Sequence, residues 1–162
     1  CREGPIDLVV TQNIDGLHSR AGTPPDKLIE IHGTAAHAHC LSCRTRHEID
    51  EARRQIDATG VAPRCRVCGG FVKAAIVSFG EPMPEQEMLR AQEAVEDCDL
   101  LIAAGSSLVV YPVATLPLLA HEVGARLVIA SRAPTAQDEL ADLVVRSPLS
   151  ATFEKLERIE LA

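Results

Sequence analysis

The chain has 162 residues, 46% of them hydrophobic, and a formal net charge of -7. That length allows one domain with a small inserted module, about two units at most, and the acidic balance argues against nucleic acid, whose phosphates need Lys and Arg to neutralise them. No run of about 18 apolar residues could span a bilayer, and residues 1–7 lack the charged-then-apolar layout of a signal peptide, so we expect a cytoplasmic protein with no membrane partner.

With no Trp, three Phe and one Tyr, the core must come from Val, Leu, Ile and Ala, a composition that suits a parallel sheet covered by helices. Residues 1–5 lack an initiator Met and read as a loop entering a strand; we expect a truncated chain. Residues 7–10 form a short apolar run between Pro5 and a polar segment, the pattern of a buried strand. Residues 28–31 repeat it. The polar, turn-rich stretch 12–26 between them is too long for a hairpin and reads as a functional loop.

From Cys40 to Cys68 the character changes to paired cysteines and charges, with one short helix expected over 49–58. Residues 72–79 are strand-like, Glu81-Pro82-Met83-Pro84 interrupts them, and a helix follows over 85–96. Three more apolar runs, 99–104, 126–130 and 142–146, are separated by a helical stretch over 112–123, and a final helix has Ser150 as its expected cap, with Glu154 one position late for a capping box. Strands alternating with helices imply βαβ units and a parallel sheet.

The strongest chemical signal is two Cys-x-x-Cys pairs, Cys40 with Cys43 and Cys65 with Cys68, separated by 21 residues. Each pair forms a knuckle that aims two thiolates at one point, and two knuckles complete the tetrahedron that structural zinc prefers. Four protein ligands leave no position for water, so the metal should hold the module together. Two disulfides or a redox dithiol are the alternatives; the first suits an oxidising compartment and the second needs only one pair. Cys1 and Cys98 have no partner pattern and read as a loop thiol and a small buried apolar residue. His37, His39 and His47 lie near the knuckles and are substitute ligands in principle.

Gln12, Asn13, Ile14 and Asp15 follow directly on the first strand, at the end of a parallel strand where ligands bind. Their amides and carboxylate suit ribose hydroxyls and a carboxamide; equally, Asn and Asp can serve only the backbone of their own turn. His32-Gly33 repeats the arrangement after the second strand. A histidine there can act as a general base or be structural, and His18 is open in the same way.

In order and spacing, Thr11-Gln12-Asn13-Ile14-Asp15-Gly16-Leu17-His18-Ser19-Arg20-Ala21-Gly22, Ile31-His32-Gly33-Thr34, the two cysteine pairs, Ser78-Phe79-Gly80-Glu81-Pro82-Met83-Pro84 and Gly105-Ser106-Ser107-Leu108-Val109-Val110-Tyr111-Pro112 resemble the sirtuin (Sir2) signature across nearly the whole chain. The resemblance implies an α/β fold with a doubly wound, Rossmann-like parallel sheet, residues 1–36 and 74–162, incomplete at its N-terminus and carrying an inserted zinc-ribbon module, residues 37–73. It implies an NAD-dependent protein-lysine deacylase that uses NAD as co-substrate and one structural zinc ion, with an acylated-lysine protein or peptide as partner; we expect a monomer.

By position, the resemblance makes His32 the catalytic base, with Asn13 and Asp15 beside it, and Gln12, Asn13, Ile14 and Asp15 the nicotinamide and ribose pocket. Gly105, Ser106 and Ser107, at a strand-to-helix turn, together with Ser131 and Pro148, become further cofactor contacts. Val77, Ser78, Phe79, Gly80 and Glu81, with Val109 and Tyr111, sandwich the peptide as an added strand. The implied reaction has the lysine acyl oxygen attack the ribose carbon as nicotinamide leaves, His32 deprotonate a ribose hydroxyl, and water release lysine and O-acyl-ADP-ribose. ADP-ribosyl transfer to protein and an inactive zinc-module remnant are the alternative readings. The family's Gly-Ala-Gly turn and Asp-Phe-Arg stretch do not occur in these 162 residues, so we expect them alone to be poorly folded or inactive and to bind NAD weakly.

Overall fold

The computed structural model of the chain describes residues 6–158. Cys1 and the expected entry loop lie outside the described residues. Two units divide at residues 88 and 89.

The first unit opens with β1 (Val9–Thr11), whose parallel partner β2 (Leu28–Glu30) pairs Val10 with Ile29. The loop between them contains a short helix, α1 (Leu17–Arg20), and a 3-10 turn (Pro25–Lys27). Polarity hid both, because four helical residues bury nothing and show no apolar period. A three-stranded antiparallel sheet follows, in the order β4 (Arg46–Glu48), β3 (Gly33–Cys40), β5 (Val72–Ile76). β3 and β4 were not expected from sequence. β5 stops at Ile76, three residues before the predicted end, because the chain turns at Ser78–Glu81.

Between β4 and β5 runs α2 (Ile49–Thr59), with Asp50 and Glu51 in its first turn, where the helix dipole favours negative charge. It ends at Gly60, whose left-handed φ of 68° lets its N–H reach the Ile56 carbonyl at 2.7 Å. Ala38, Cys40, Ala52, Cys65 and Val72 form the small core beneath.

α3 (Glu85–Glu96) runs across the division and occupies the predicted span, burying Met88, Ala91 and Val95 along one face. The second unit is a parallel sheet in the order β6 (Leu100–Ala104), β7 (Arg126–Ala130), β8 (Leu143–Val145). Leu127 and Ile129 face the core with Leu101, Ala103 and Leu108, while Leu100, Ile102 and Leu143 on the other face are exposed. A 3-10 turn (Val113–Thr115) leads into α4 (Leu116–Glu122), which is shorter than the predicted 112–123. Buried Gln137 ties this loop down: its side-chain Nε2 donates to the Ala114 carbonyl at 2.8 Å. The chain closes with α5 (Leu149–Glu157); Pro148 stands at its N-cap and Ser150 is inside the helix, so the expected serine cap is not formed. Among the described residues no helix is long and apolar enough to cross a membrane.

Candidate functional site

At the carboxyl end of β1 the chain turns sharply, with the Asn13 N–H donating to the Thr11 hydroxyl (3.2 Å). The Asp15 carboxylate accepts from the Leu17 N–H at 3.0 Å and so closes the first turn of α1. The Ile14 carbonyl accepts from the Ala35 N–H at 2.8 Å, which pins the loop to β3. The side-chain amides of Gln12 and Asn13 make no hydrogen bond among the described residues, and Asn13 is exposed. They offer donors and acceptors to a ligand.

His32 follows β2 and is half-buried. Its Nδ1 lies 3.1 Å from the Gln12 carbonyl oxygen. A carbonyl only accepts, so Nδ1 carries the hydrogen and, in the neutral ring, Nε2 keeps a lone pair. The sequence suggested a role for the Gln12 side chain; the main chain of that residue turns out to hold the histidine. The His32 carbonyl accepts from the Val77 N–H at 2.9 Å, so the segment beyond β5 is moored beside it. Gly33 permits this approach: at a φ of 75°, a Cβ would sit 2.1 Å from the Ala75 carbonyl oxygen.

After Val77 the chain makes a tight turn, Glu81 N–H to Ser78 carbonyl at 3.0 Å, with Phe79 fully exposed at its tip. The Glu81 carboxylate accepts from the Ser78 N–H at 2.8 Å and pairs with Lys73, whose ammonium also reaches the Ile76 carbonyl at 2.8 Å. Lys73 beside it, then the Ser78 amide, hold the Glu81 carboxyl below its usual range.

In the second unit Gly105, Ser131 and Pro148 meet at the carboxyl ends of β6, β7 and β8. The Gly105 N–H donates to the Ala130 carbonyl (2.9 Å), the Ser131 N–H donates to the Val145 carbonyl (3.0 Å), and a Cβ on Gly105 would come within 2.9 Å of Leu149, next to Pro148. This is the edge of a parallel sheet where ligands bind. Gly105, Ser106 and Ser107 do not lead straight into a helix as expected: residues 105–112 form a loop, and Ser106 Oγ accepts from the Leu108 N–H at 3.2 Å. The Ser131 hydroxyl donates to the Ala133 carbonyl of its own turn at 2.9 Å. Val109 and Tyr111 are exposed.

The sulfurs of Cys40, Cys43, Cys65 and Cys68 all lie within 4.8 Å of one another. Cys40 and Cys68 are 3.4 Å apart and Cys43 and Cys65 3.7 Å. A disulfide would need about 2.05 Å, whereas a zinc tetrahedron with about 2.3 Å bonds has edges near 3.8 Å; the group fits the metal. No histidine joins this cluster among the described residues, so His37, His39 and His47 are not substitute ligands in it. The Thr45 hydroxyl and amide bring the Cys43 thiol down to about 6. The Gly70 amide draws Cys68 the same way, but the neighbouring Cys43 and Cys40 sulfurs push it up to about 12. Desolvation lowers His39, with the charge of Arg44 adding to it. Cys98 is half-buried and its thiol is raised by burial. Two residues that the sequence did not single out complete the picture, Lys73 and Glu51, while His47, considered there only as a ligand, instead lies beside Cys65 with Nε2 3.3 Å from its sulfur.

The fold and these groups define an α/β protein with polar groups gathered at the carboxyl ends of parallel strands and a four-cysteine centre whose geometry fits zinc. A family model described as "Sir2 family" matches residues 2–112, and the chain belongs to that family. It is 48% identical over 152 residues to an "NAD-dependent protein deacetylase" of Rhodopseudomonas palustris, covering 94% of this chain and 60% of the relative. It is 40% identical over 156 residues to "NAD-dependent protein deacylase 2" of Archaeoglobus fulgidus, covering 96% and 60%. Solved structures described as "Sir2-p53 peptide-NAD+" and "Structure of Sir2Tm bound to a propionylated peptide" each superpose with a TM-score of 0.87 at 34% identity, covering 92% of this chain and 61% and 62% of theirs. The chain thus spans about 60% of the length of the curated relatives it matches.

Proposed function

We propose that this chain carries the catalytic base and part of the cofactor pocket of an NAD-dependent protein-lysine deacylase, which moves the acyl group of a modified lysine onto ADP-ribose and releases nicotinamide. The observation that carries this reading is His32: the Gln12 carbonyl fixes its Nδ1 at 3.1 Å and leaves Nε2 as the basic atom. It is supported by the relatives named for that activity and by solved family structures described with NAD and acylated peptides.

NAD, when bound, supplies an electrophilic ribose carbon whose leaving group is nicotinamide. Gln12, Asn13, Ile14 and Asp15 would bind and orient its nicotinamide and ribose; the unpartnered amides of Gln12 and Asn13 suit hydroxyls and a carboxamide. His32 Nε2 takes a proton from a ribose hydroxyl, a role that typically contributes about a hundredfold to ten-thousandfold. Val77–Glu81 would pair with the peptide main chain, a mode that demands little of its sequence, and the Glu81–Lys73 pair keeps that segment in shape. In the second unit we assign Gly105, Ser106, Ser107, Ser131 and Pro148 to the cofactor and Val109 and Tyr111 to the peptide. We assign residues 37–73 to the zinc module and residues 1–36 and 74–162 to the cofactor-binding domain. Free thiols at the centre suit a cytoplasmic setting.

The test is nicotinamide release from NAD by the full-length gene product with an acetylated-lysine peptide, beside His32→Ala. The variant should lose about a hundredfold to ten-thousandfold, and mass spectrometry of the peptide should show loss of the acyl group. Equal turnover by both would remove His32 from the chemistry, and a peptide that gains ADP-ribose would favour transfer to protein. We further infer that residues 1–162 alone bind NAD weakly, because they contain no glycine-rich phosphate turn; tight binding of NAD by the isolated chain in a calorimetric titration would contradict this.

A further inference from the structure

The four sulfurs of the metal centre are not in equivalent surroundings. Cys43 and Cys68 are exposed, whereas Cys40 and Cys65 are buried. Four thiolates on one divalent cation leave a net charge of about -2, which water offsets at the exposed pair and which protein donors must offset at the buried pair. Cys40 has two such donors, the N–H groups of Ser42 and Cys43 at 3.3 and 3.5 Å. Cys65 has one main-chain donor, the Val67 N–H at 3.4 Å.

Its second donor is a side chain. His47 stands in the middle of β4, between exposed Arg46 and Glu48, and points inward opposite Ala38 with only 2% of its surface exposed. The core it enters is apolar apart from the thiols: Ala38, Ala52, Val72 and Ile49. A buried imidazole there needs a partner, and its Nε2 lies 3.3 Å from the Cys65 sulfur. A thiolate only accepts, so Nε2 carries the hydrogen. On the other side of the ring Nδ1 faces the Glu51 carboxylate at 3.9 Å, and Glu51 pairs with Arg66 at 3.2 Å, the residue next to Cys65. At 3.9 Å the His47–Glu51 contact is beyond hydrogen-bond range; what fixes the ring is its seat on β4 opposite Ala38.

We propose that His47 is a positioning residue of the zinc centre, an N–H donor to the Cys65 thiolate that β4 seats in the core of the module. The proposal rests on the four-cysteine zinc reading and assigns to that site an outer hydrogen bond that the cysteine spacing does not encode. Outer-shell partners of this kind are typically worth about 10- to 100-fold in metal affinity.

The experiment uses the whole 162-residue chain, with zinc affinity measured by chelator competition and the cobalt-substituted protein by absorption spectroscopy. His47→Phe keeps a ring of similar size without the donor; it should weaken zinc about 10- to 100-fold and move the sulfur-to-cobalt charge-transfer bands to longer wavelength. His47→Gln retains an N–H donor and should stay near wild type in both. Wild-type affinity and unmoved bands in a folded His47→Phe protein would overturn the proposal. If that variant does not fold, His47→Gln decides: wild-type affinity and bands support the donor role, and a loss of about tenfold overturns it. X-ray absorption on the wild-type zinc protein should show four sulfur ligands. Three sulfurs and a nitrogen would make His47 a ligand and overturn the outer-shell role; failure of the wild type to bind zinc at all would instead strike the underlying four-cysteine reading.

Discussion

Alanine at position 33 would drive a methyl group into the backbone of β5, immediately next to the residue on which the proposed chemistry rests. The added Cβ would stand 2.1 Å from the Ala75 carbonyl oxygen, whereas real Cβ atoms keep beyond 3.0 Å, and the φ of 75° is one that L side chains rarely adopt. The strands must therefore part by about 1 Å, which stretches the neighbouring 2.9 Å bond from the Val77 N–H to the His32 carbonyl beyond hydrogen-bond range. Left-handed backbone costs about 1–2 kcal/mol, overpacking about 1–3 kcal/mol and the lost bond about 1 kcal/mol, so Gly33→Ala should destabilise the chain by roughly 3–6 kcal/mol. Gly60→Ala is the control: its φ of 68° is similar, and nothing lies within 4 Å of the added Cβ, so it should cost only about 1–2 kcal/mol. Urea unfolding of both variants in the zinc-loaded chain measures the difference. Equal losses at the two positions would refute the argument that contact with β5, rather than backbone strain, makes Gly33 necessary.

Stripping zinc with a strong chelator should abolish hydrogen-exchange protection across β3, β4 and β5 while β6, β7 and β8 stay protected, because the metal ties together a core of five small buried residues; unchanged protection in the first sheet would show that the centre is not structural. Acid should weaken the second unit through Asp138, whose carboxyl is held below its ordinary value by the Thr135 amide first, then by the Thr135 hydroxyl and Arg146. A lowered folded-state value means that the unfolded chain binds the proton more readily, so this contribution is complete above the usual carboxylate range and is lost as pH falls through the folded value. Asp138→Asn should therefore flatten the loss of stability below about pH 4, as read by urea unfolding across that range; an unchanged acid slope would contradict the assignment.

The strands of the parallel sheets were legible to within two residues because they lie in short apolar runs, 99–104, 126–130 and 142–146, even though β6 and β8 leave one face exposed. α3 was legible in full, since Pro84 precedes it and Met88, Ala91 and Val95 mark its buried face. β3 was not. Its sequence, Gly-Thr-Ala-Ala-His-Ala-His-Cys, has a single β-branched residue, and it is a strand because β4 and β5 flank it on both edges. Among the candidate site residues the cysteines could be read because their spacing reflects the geometry of the ligand cage. The hold on His32 could not, because it comes from the Gln12 main chain, which every residue type shares. His47 was read only as a substitute ligand, and its inward place beside Cys65 was not legible because three-residue β4 is too short to show which of its side chains points inward.

The metal and the proposed base are joined by one element. β3 starts at Gly33, beside His32, and ends at Cys40, the first of the clustered cysteines. Gly33 stands opposite Ile76 and Cys40 opposite Val72, four strand steps of about 3.3 Å along β5, so the two ends lie roughly 13 Å apart, too far for direct contact between zinc and the histidine. What the strand transmits is register. β5 is tied to β3 at both ends, Cys40 opposite Val72 and Gly33 opposite Ile76, with a bulge between Gly33 and Ala38. The metal fixes the first pairing, and the fit of Gly33 against the Ala75 carbonyl fixes the second. A slip of one residue would turn every β3 side chain to the other face and would also unseat the Val77 N–H from the His32 carbonyl. The zinc centre therefore bears on the proposed base by holding the strand pair on which the His32–Val77 contact depends.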